Sequence, residues 1–266
     1  MKKFWGFLLV IVLMTSCGEY QSLLKSNDYN LVYKKAIEYY NKGDYQRAMN
    51  LLDGVRSVFV GQAKAQNIAY YRAFCSYNMK DYQIASDLFK QFIQTYPESS
   101  FAEECLYMMG FCDYKASPKP RLDQQVTEKA IREFQLYLSR YPYSMRKDKV
   151  NTYMDEMRDK LSYKAYLRAK NYYLREHYKA AVISLQNCLK DYPGSKYREE
   201  IMYMLFVSKY QMAVNSVEDK KVERYNNARE EYYYFADEYP NSRYAADVKK
   251  MYEDIEAYLE NYKFED

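Results

Sequence analysis

Residues 66–97 read QNIAYYRAFCSYNMKDYQIASDLFKQFIQTYP, and the fold follows from how this stretch is read. Its first half carries Tyr70, Ala73 and Tyr77, spaced to share one face of a helix. A polar break, Lys80-Asp81, follows. The second half resumes helical spacing with Tyr82, Ala85 and Phe89 and stops at Tyr96-Pro97. Proline has no amide proton to continue a helix, and it biases the residue before it away from helical angles. Two helices joined by so short a turn must lie antiparallel. Ala73 and Ala85 are small where such helices cross, and there the backbones approach closely.

Working outward, the same signals recur along the chain. Tyr-Pro appears at Tyr96-Pro97, Tyr141-Pro142, Tyr192-Pro193 and Tyr239-Pro240, each followed two residues later by Ser99, Ser144, Ser195 or Ser242. Each serine is a candidate N-cap for the next helix. Gly43-Asp44-Tyr45 leads to Ala48 and Glu176-His177-Tyr178 to Ala181, as Lys80-Asp81-Tyr82 leads to Ala85. Tyrosine pairs seven apart mark five registers: Tyr33/Tyr40, Tyr70/Tyr77, Tyr107/Tyr114, Tyr166/Tyr173 and Tyr203/Tyr210, with first members 37, 37, 59 and 37 residues apart. Three residues after the first members stand Ala36, Ala73, Gly110, Ala169 and Phe206.

The pattern resembles the tetratricopeptide repeat: a small residue, a turn, Ala, a large apolar residue, then Pro. It reads Ala73/Ala85/Phe89/Pro97 in the second hairpin and Ala169/Ala181/Leu185/Pro193 in the fourth. The first has Ala36/Ala48/Leu52 with Val60 in place of Pro, and the third and fifth keep Ala130/Phe134/Pro142 and Ala228/Tyr232/Pro240. The resemblance implies an all-α superhelix of five hairpins, at about 29–60, 66–97, 103–142, 162–193 and 199–240, with a capping helix at 245–262. Ser117-Pro118-Lys119-Pro120 and residues 215–223 are expected to be surface loops. Stacked hairpins of this kind present a concave face for extended peptides or partner domains.

The N-terminus carries a different message. Lys2 and Lys3 precede an apolar run from Phe4 to Met14, then Thr15-Ser16-Cys17. A short basic stretch, an apolar core and small residues before a cut describe a secretory signal, too short to remain as a membrane span. Leu13-Met14-Thr15-Ser16-Cys17 resembles a bacterial lipobox, with Met14 where Leu is preferred. That resemblance implies a signal peptide at 1–16, lipid on Cys17 and a lipidated linker over 17–28. More than one acyl chain gives stable anchoring. Gly18 and Glu19 include no Asp of the kind that retains some lipoproteins in the inner membrane. The expected location is therefore the periplasmic side of the outer membrane.

Composition narrows the chemistry. The formal charge of +4 loses Lys2 and Lys3 with the signal, and the remaining charges are interspersed, so nucleic-acid binding has no electrostatic support. There are 35 Tyr against 7 Gly and 6 Pro, which favours long helices with short turns. The single histidine, His177, falls in a turn. With no second His, no CxxC and no HExxH, no metal ligand set is apparent, and no cofactor is expected. Pairs such as Glu103/Glu104, Glu199/Glu200 and Glu230/Glu231 read as solvated helix faces. Cys75, Cys105, Cys112 and Cys188 sit inside helical patterns, and a role as small core residues is favoured over disulfides.

With signal, lipobox and repeats in place, residues 17–266 resemble the BamD family of tetratricopeptide lipoproteins. The segment Tyr163 to Pro193 carries the likeness most fully, through Ala169, Tyr172-Tyr173, Tyr178, Leu189 and Asp191-Tyr192-Pro193. The resemblance implies a non-enzymatic scaffold of the outer-membrane β-barrel assembly machinery. It implies that the fourth and fifth hairpins, Tyr163 to Pro240, bind a BamA-type barrel subunit. It also implies a pocket for unfolded outer-membrane protein segments, here Tyr33, Tyr40, Tyr70, Phe74 and Tyr77. Tyr107, Tyr114, Tyr166, Tyr173, Tyr203 and Tyr210 would continue it as a groove; packing between hairpins is the alternative reading of these tyrosines. The competing function is an adaptor for peptidoglycan enzymes or another envelope complex. Glycan-binding SusD-type lipoproteins are much longer.

Overall fold

The tight turn inside each of hairpins one, two and four is built on one residue in the left-handed region. Gly43, Lys80 and Glu176 have φ of 82°, 68° and 60°. Each closes a helix in the same way. The amide of Gly43 donates to Tyr40 O and that of Asp44 to Tyr39 O; Lys80 and Asp81 use Tyr77 and Ser76, and Glu176 and His177 use Tyr173 and Tyr172. This pair of bonds satisfies the orphan carbonyls at a helix C-terminus. The next residue starts the following helix, and Asp44 Oδ1 accepts from the amide of Arg47.

The computed structural model describes residues 18–262, and among the described residues no strand occurs. Helices α1 (Tyr29–Asn41) and α2 (Tyr45–Val55) make the first hairpin, α3 (Ala63–Asn78) and α4 (Tyr82–Thr95) the second, and α5 (Ala102–Ala116) and α6 (Gln125–Arg140) the third. Then come α7 (Lys147–Leu174) and α8 (Tyr178–Asp191), α9 (Arg198–Val214) and α10 (Glu218–Glu238), and finally α11 (Ala245–Tyr262). The all-α hairpin architecture is the one the repeat implies.

Small residues hold the crossings. Ala36, Ala48, Ala73, Ala85, Ala130, Ala169, Ala181 and Ala228 are all fully buried. At Gly110 even a methyl group has no room, because a Cβ there would stand 2.9 Å from Phe134 Cδ1. Phe206 breaks the small-residue rule and is fully buried all the same, beside Tyr232.

The chain divides into two compact units, with the boundary after Met157. In the first, Leu51, Leu52, Val55 and Phe59 anchor one core around hairpin one; Phe89, Phe92, Phe134, Tyr137, Val150 and Met157 anchor another across hairpins two and three. In the second unit, Tyr166, Leu185 and Ile201 centre one core, and Phe206, Phe235, Val248 and Ile255 the next.

Four expectations change. Residues 18–24, read as part of a linker, are helical, and Tyr20 and Leu23 are buried in the first core because Asn50 donates to Tyr20 Oη and Arg47 lies over its ring. The helix that opens hairpin four begins at Lys147, not near 162, and runs unbroken for 28 residues. Residues 218–223 are the first turns of α10 and not loop, since Glu218 and Asp219 favour a helix N-terminus. The serines after each Tyr-Pro stand three residues before the helix, where Ser99, Ser144, Ser195 and Ser242 Oγ accept from the amides of Phe101, Arg146, Tyr197 and Tyr244. The signal peptide at 1–16 and Cys17 lie outside the described residues.

Candidate functional site

The tyrosine pairs are the feature the sequence repeats most faithfully, and the structure places them on the first helix of each hairpin. In hairpins two to five the surroundings of the first member also repeat. Four residues earlier stands a polar side chain that ties down the serine of the hairpin's own closing turn. Ser99 donates to Gln66 Oε1, Ser144 to Glu103 Oε1, Ser162 to Ser195 Oγ and Ser242 to Glu199 Oε1. In the third hairpin, the fully buried Tyr137 also donates to Glu103 Oε1, at 3.0 Å.

A second repeat covers the ring itself. Phe101 packs on Tyr70 at 4.5 Å between centroids, Tyr197 stacks on Tyr166 at 4.4 Å, and Tyr244 stacks on Tyr203 at 4.0 Å. In the third hairpin Arg146 takes that place, 4.8 Å over Tyr107, and in the first Lys64 lies 5.7 Å from Tyr33. The tyrosine spacing does not mark these covering residues, yet the sequence carries a signal for them. Phe101, Arg146, Tyr197 and Tyr244 each stand four after a Tyr-Pro proline. Three are aromatic, but Arg146 and Lys64 meet the ring through a cation instead.

Hydroxyl bonds then link one hairpin to the next element. Tyr70 donates to Glu104 at 2.8 Å, Tyr114 to Glu156, Tyr203 to Asp247 and Tyr210 to Asp254. Lys170 donates to both Tyr166 Oη and Glu200, each at 2.8 Å. Burial, aided by Cys75, pushes the Tyr40 hydroxyl up to about 12; the bond to Glu156, then burial, takes Tyr114 to about 12. Both hydroxyls stay neutral across the physiological range.

Of the expected pocket residues, Tyr70, Phe74 and Tyr77 form one continuous strip, with centroids 4.6 Å and 6.4 Å apart, which extends to Phe111. Tyr40 joins it through Tyr71, at 4.9 Å. Tyr33 packs instead on Phe59. Tyr107 and Tyr114 are joined by the stacked ring of Phe111, and Tyr114 stacks on Tyr153 at 4.5 Å. Tyr107 and Tyr166 are buried, whereas Tyr33, Tyr40, Tyr70, Tyr77, Tyr114, Tyr173, Tyr203 and Tyr210 keep part of their surface open. The four cysteines are buried free thiols, and burial pushes those of Cys75 and Cys105 up to about 12. Among the described residues no group of His, Cys, Asp and Glu could hold a metal ion, and no helix is long and apolar enough to cross a membrane.

The helical hairpins and the repeated tyrosine contacts together define a helical-hairpin repeat protein whose conspicuous chemistry is aromatic contact. A family model described as YfiO, outer membrane lipoprotein, matches residues 25–200 and 165–265, and the chain belongs to that family. Among solved structures, the TPR2AB-domain:pHSP90 complex of yeast Sti1 is 14% identical, covering 86% of this chain and 98% of that one at a TM-score of 0.39. A TPR repeats protein from Bacteroides fragilis is 13% identical over 87% and 99%, at 0.42. The human IFIT1 dimer with PPP-AAAA is 17% identical over 94% and 63%, at 0.30. No curated protein matches the chain.

Proposed function

We propose that this protein is a BamD-type scaffold, lipid-anchored through Cys17 on the periplasmic side of the outer membrane, without catalytic activity of its own. It binds a BamA-type barrel subunit through hairpins four and five. It engages unfolded outer-membrane protein segments at Tyr33, Tyr40, Tyr70, Phe74 and Tyr77, and so promotes their folding and insertion. The match of residues 25–265 to an outer membrane lipoprotein family carries this reading. The strip of Tyr70, Phe74 and Tyr77 supports the peptide contact, because aromatic side chains supply large contact area at little entropic cost.

The test is purification of the lipidated protein from outer membranes in mild detergent, with identification of stoichiometric partners. The expected result is a large β-barrel protein with repeated periplasmic domains, lost when surface residues of hairpins four and five are substituted. Recovery of peptidoglycan enzymes without a barrel would establish the adaptor reading in its place. Cys17→Ala is expected to release the protein from the membrane fraction; membrane retention would count against the anchor.

A further inference from the structure

The short helix over residues 18–24 is docked on the first hairpin and does not hang from it as a spacer. Glu19 pairs with Lys35 at 2.9 Å, and Tyr20 meets the ring of Tyr39 edge-on at 6.0 Å. The Tyr20 hydroxyl accepts from the Asn50 side chain, and Leu23 is buried in the first core. Only residues 25–28 separate this helix from the start of α1, so the two run antiparallel. Leu24 therefore comes back to the level of Leu31.

Cys17, which carries the acyl chains in the function proposed above, is bonded directly to Gly18. Two Cα steps of about 3.8 Å thus separate the anchor from the Glu19 that Lys35 holds. A free linker over residues 17–28 would let the hairpins stand about 40 Å from the bilayer, and the docked helix removes that freedom. At roughly 1.5 Å of rise per residue, all of residues 18–25 lies within about 15 Å of the anchor. The end of the stack that they form has the composition of a surface for lipid. Leu24 and Leu31 are 46% and 41% exposed. The acids there are occupied, since Glu19 and Glu38 share Lys35 and Asp28 accepts from the amide of Leu31. Lys25 and Lys34 are exposed and form no ion pair among the described residues. Exposed leucines beside free ammonium groups suit a headgroup layer that contains anionic phosphates.

We propose that the N-terminal end of the stack, residues 18–25 with Leu31 and Lys34, lies against the phospholipid surface that holds the Cys17 acyl chains. Leu24 and Leu31 enter the boundary between headgroups and acyl chains, and Lys25 and Lys34 meet phosphates. This rests on the lipid anchor proposed above and turns it from a tether into an oriented contact. The acyl chains keep this end at the surface, and the leucines and lysines select the face that meets it. Hairpin one is then the hairpin nearest the membrane.

The experiment uses tryptophan as a depth probe. The only tryptophan, Trp5, precedes Cys17, so the processed chain has none. Leu24→Trp and Leu31→Trp are made separately, with Tyr143→Trp as the control, a position 97% exposed in the turn before α7. Each natively processed protein, checked for helicity, is reconstituted in vesicles of phosphatidylethanolamine and phosphatidylglycerol, with and without brominated acyl chains. Emission from positions 24 and 31 is expected to shift to the blue and to be quenched at least about twofold, as for side chains roughly 5–10 Å into the boundary. Emission from position 143 is expected to stay unchanged. Mass spectrometry of the N-terminal peptide separates the two ways to fail. An unmodified Cys17 would remove the anchor and this contact with it. An acylated Cys17 with either position 24 or 31 unquenched would leave the anchor standing and overturn the contact, freeing that end for a partner protein. Equal quenching at position 143 would mean that no face is preferred, and would overturn it as well.

Discussion

The three tight turns pose the same backbone problem to three different residues. Gly43 adopts its positive φ freely, whereas Lys80 and Glu176 hold side chains in a conformation that costs an L-residue roughly 1–2 kcal/mol. Nothing stands within 4 Å of a Cβ built on Gly43, so Gly43→Ala isolates the backbone term. It is expected to lower stability by about 1 kcal/mol, and Lys80→Gly to raise it by up to about 1 kcal/mol, less the added freedom of the unfolded chain. Urea unfolding of both variants decides; equal and opposite signs to these would mean the turns are not held as described. A second residue-scale effect belongs to Glu133. Burial, then the adjacent Asp113, raises its folded carboxyl to about 8, above the ordinary 4.5, so the folded state keeps a proton that the unfolded chain releases. Its contribution is complete below about 4.5 and is lost as pH rises through 8. Glu133→Gln cannot ionise, so it should flatten stability against pH and leave the protein more stable at pH 8, on the order of 2–4 kcal/mol. A variant as pH-sensitive as the parent between pH 5 and 8 would place the titration elsewhere.

At the scale of an element, the covering residue over each first tyrosine is the unit that repeats. Phe101, Tyr197 and Tyr244 use a ring, and Arg146 alone in this register after Tyr-Pro uses a guanidinium, 4.8 Å over Tyr107 and 3.6 Å from Glu104. Arg146→Ala should cost about 1 kcal/mol, the size of a cation–π contact at a half-exposed site, and Arg146→Phe should recover most of it. If the phenylalanine variant were as unstable as alanine, the ion pair with Glu104 would be the real contribution. The same element shows why some boundaries were legible and others not. Hairpins two and four announce both ends, by an αL turn and by Tyr-Pro. The start of α7 has the Tyr141-Pro142 stop before it, but residues 147–161 contain neither Gly nor Pro to divide them from the helix of hairpin four. The repeat register finds where the hairpin begins; it does not find where its first helix begins. The helix at 18–24 was hidden for a different reason, being too short to show periodicity. The tyrosines were found by spacing, whereas the cluster of Glu133 and Lys129 on α6, Asp113 on α5 and Ser86 on α4 has no spacing to find.

For the whole molecule, the unusual quantity is 35 tyrosines, many of which sit between successive helices with their hydroxyls in hydrogen bonds. Tyr40 and Tyr210 are raised to about 12, each by burial first and then by nearby groups, Cys75 for Tyr40 and Asp254 for Tyr210. Tyr114 is also raised to about 12, by its bond to Glu156 and then by burial. An unfolded chain ionises these near 10, so above that pH the unfolded state releases protons that the folded state retains. The stability they support is complete below about 10 and is lost as pH rises toward 12. Because donors such as Tyr70, Tyr114 and Tyr203 bond to carboxylates, ionisation would set two negative charges against each other at each junction. Alkaline unfolding should therefore be steep and should coincide with tyrosinate formation, since opening one junction frees its hydroxyls to ionise. Tyrosinate absorbance and helical circular dichroism followed together between pH 9 and 12.5 will show this. The folded chain is expected to titrate later than the chain in guanidinium, with both signals moving at once. Tyrosinate forming near 10 while the helices persist would mean that the hydroxyls face solvent, and the tyrosines would then be free to line a groove rather than join the hairpins.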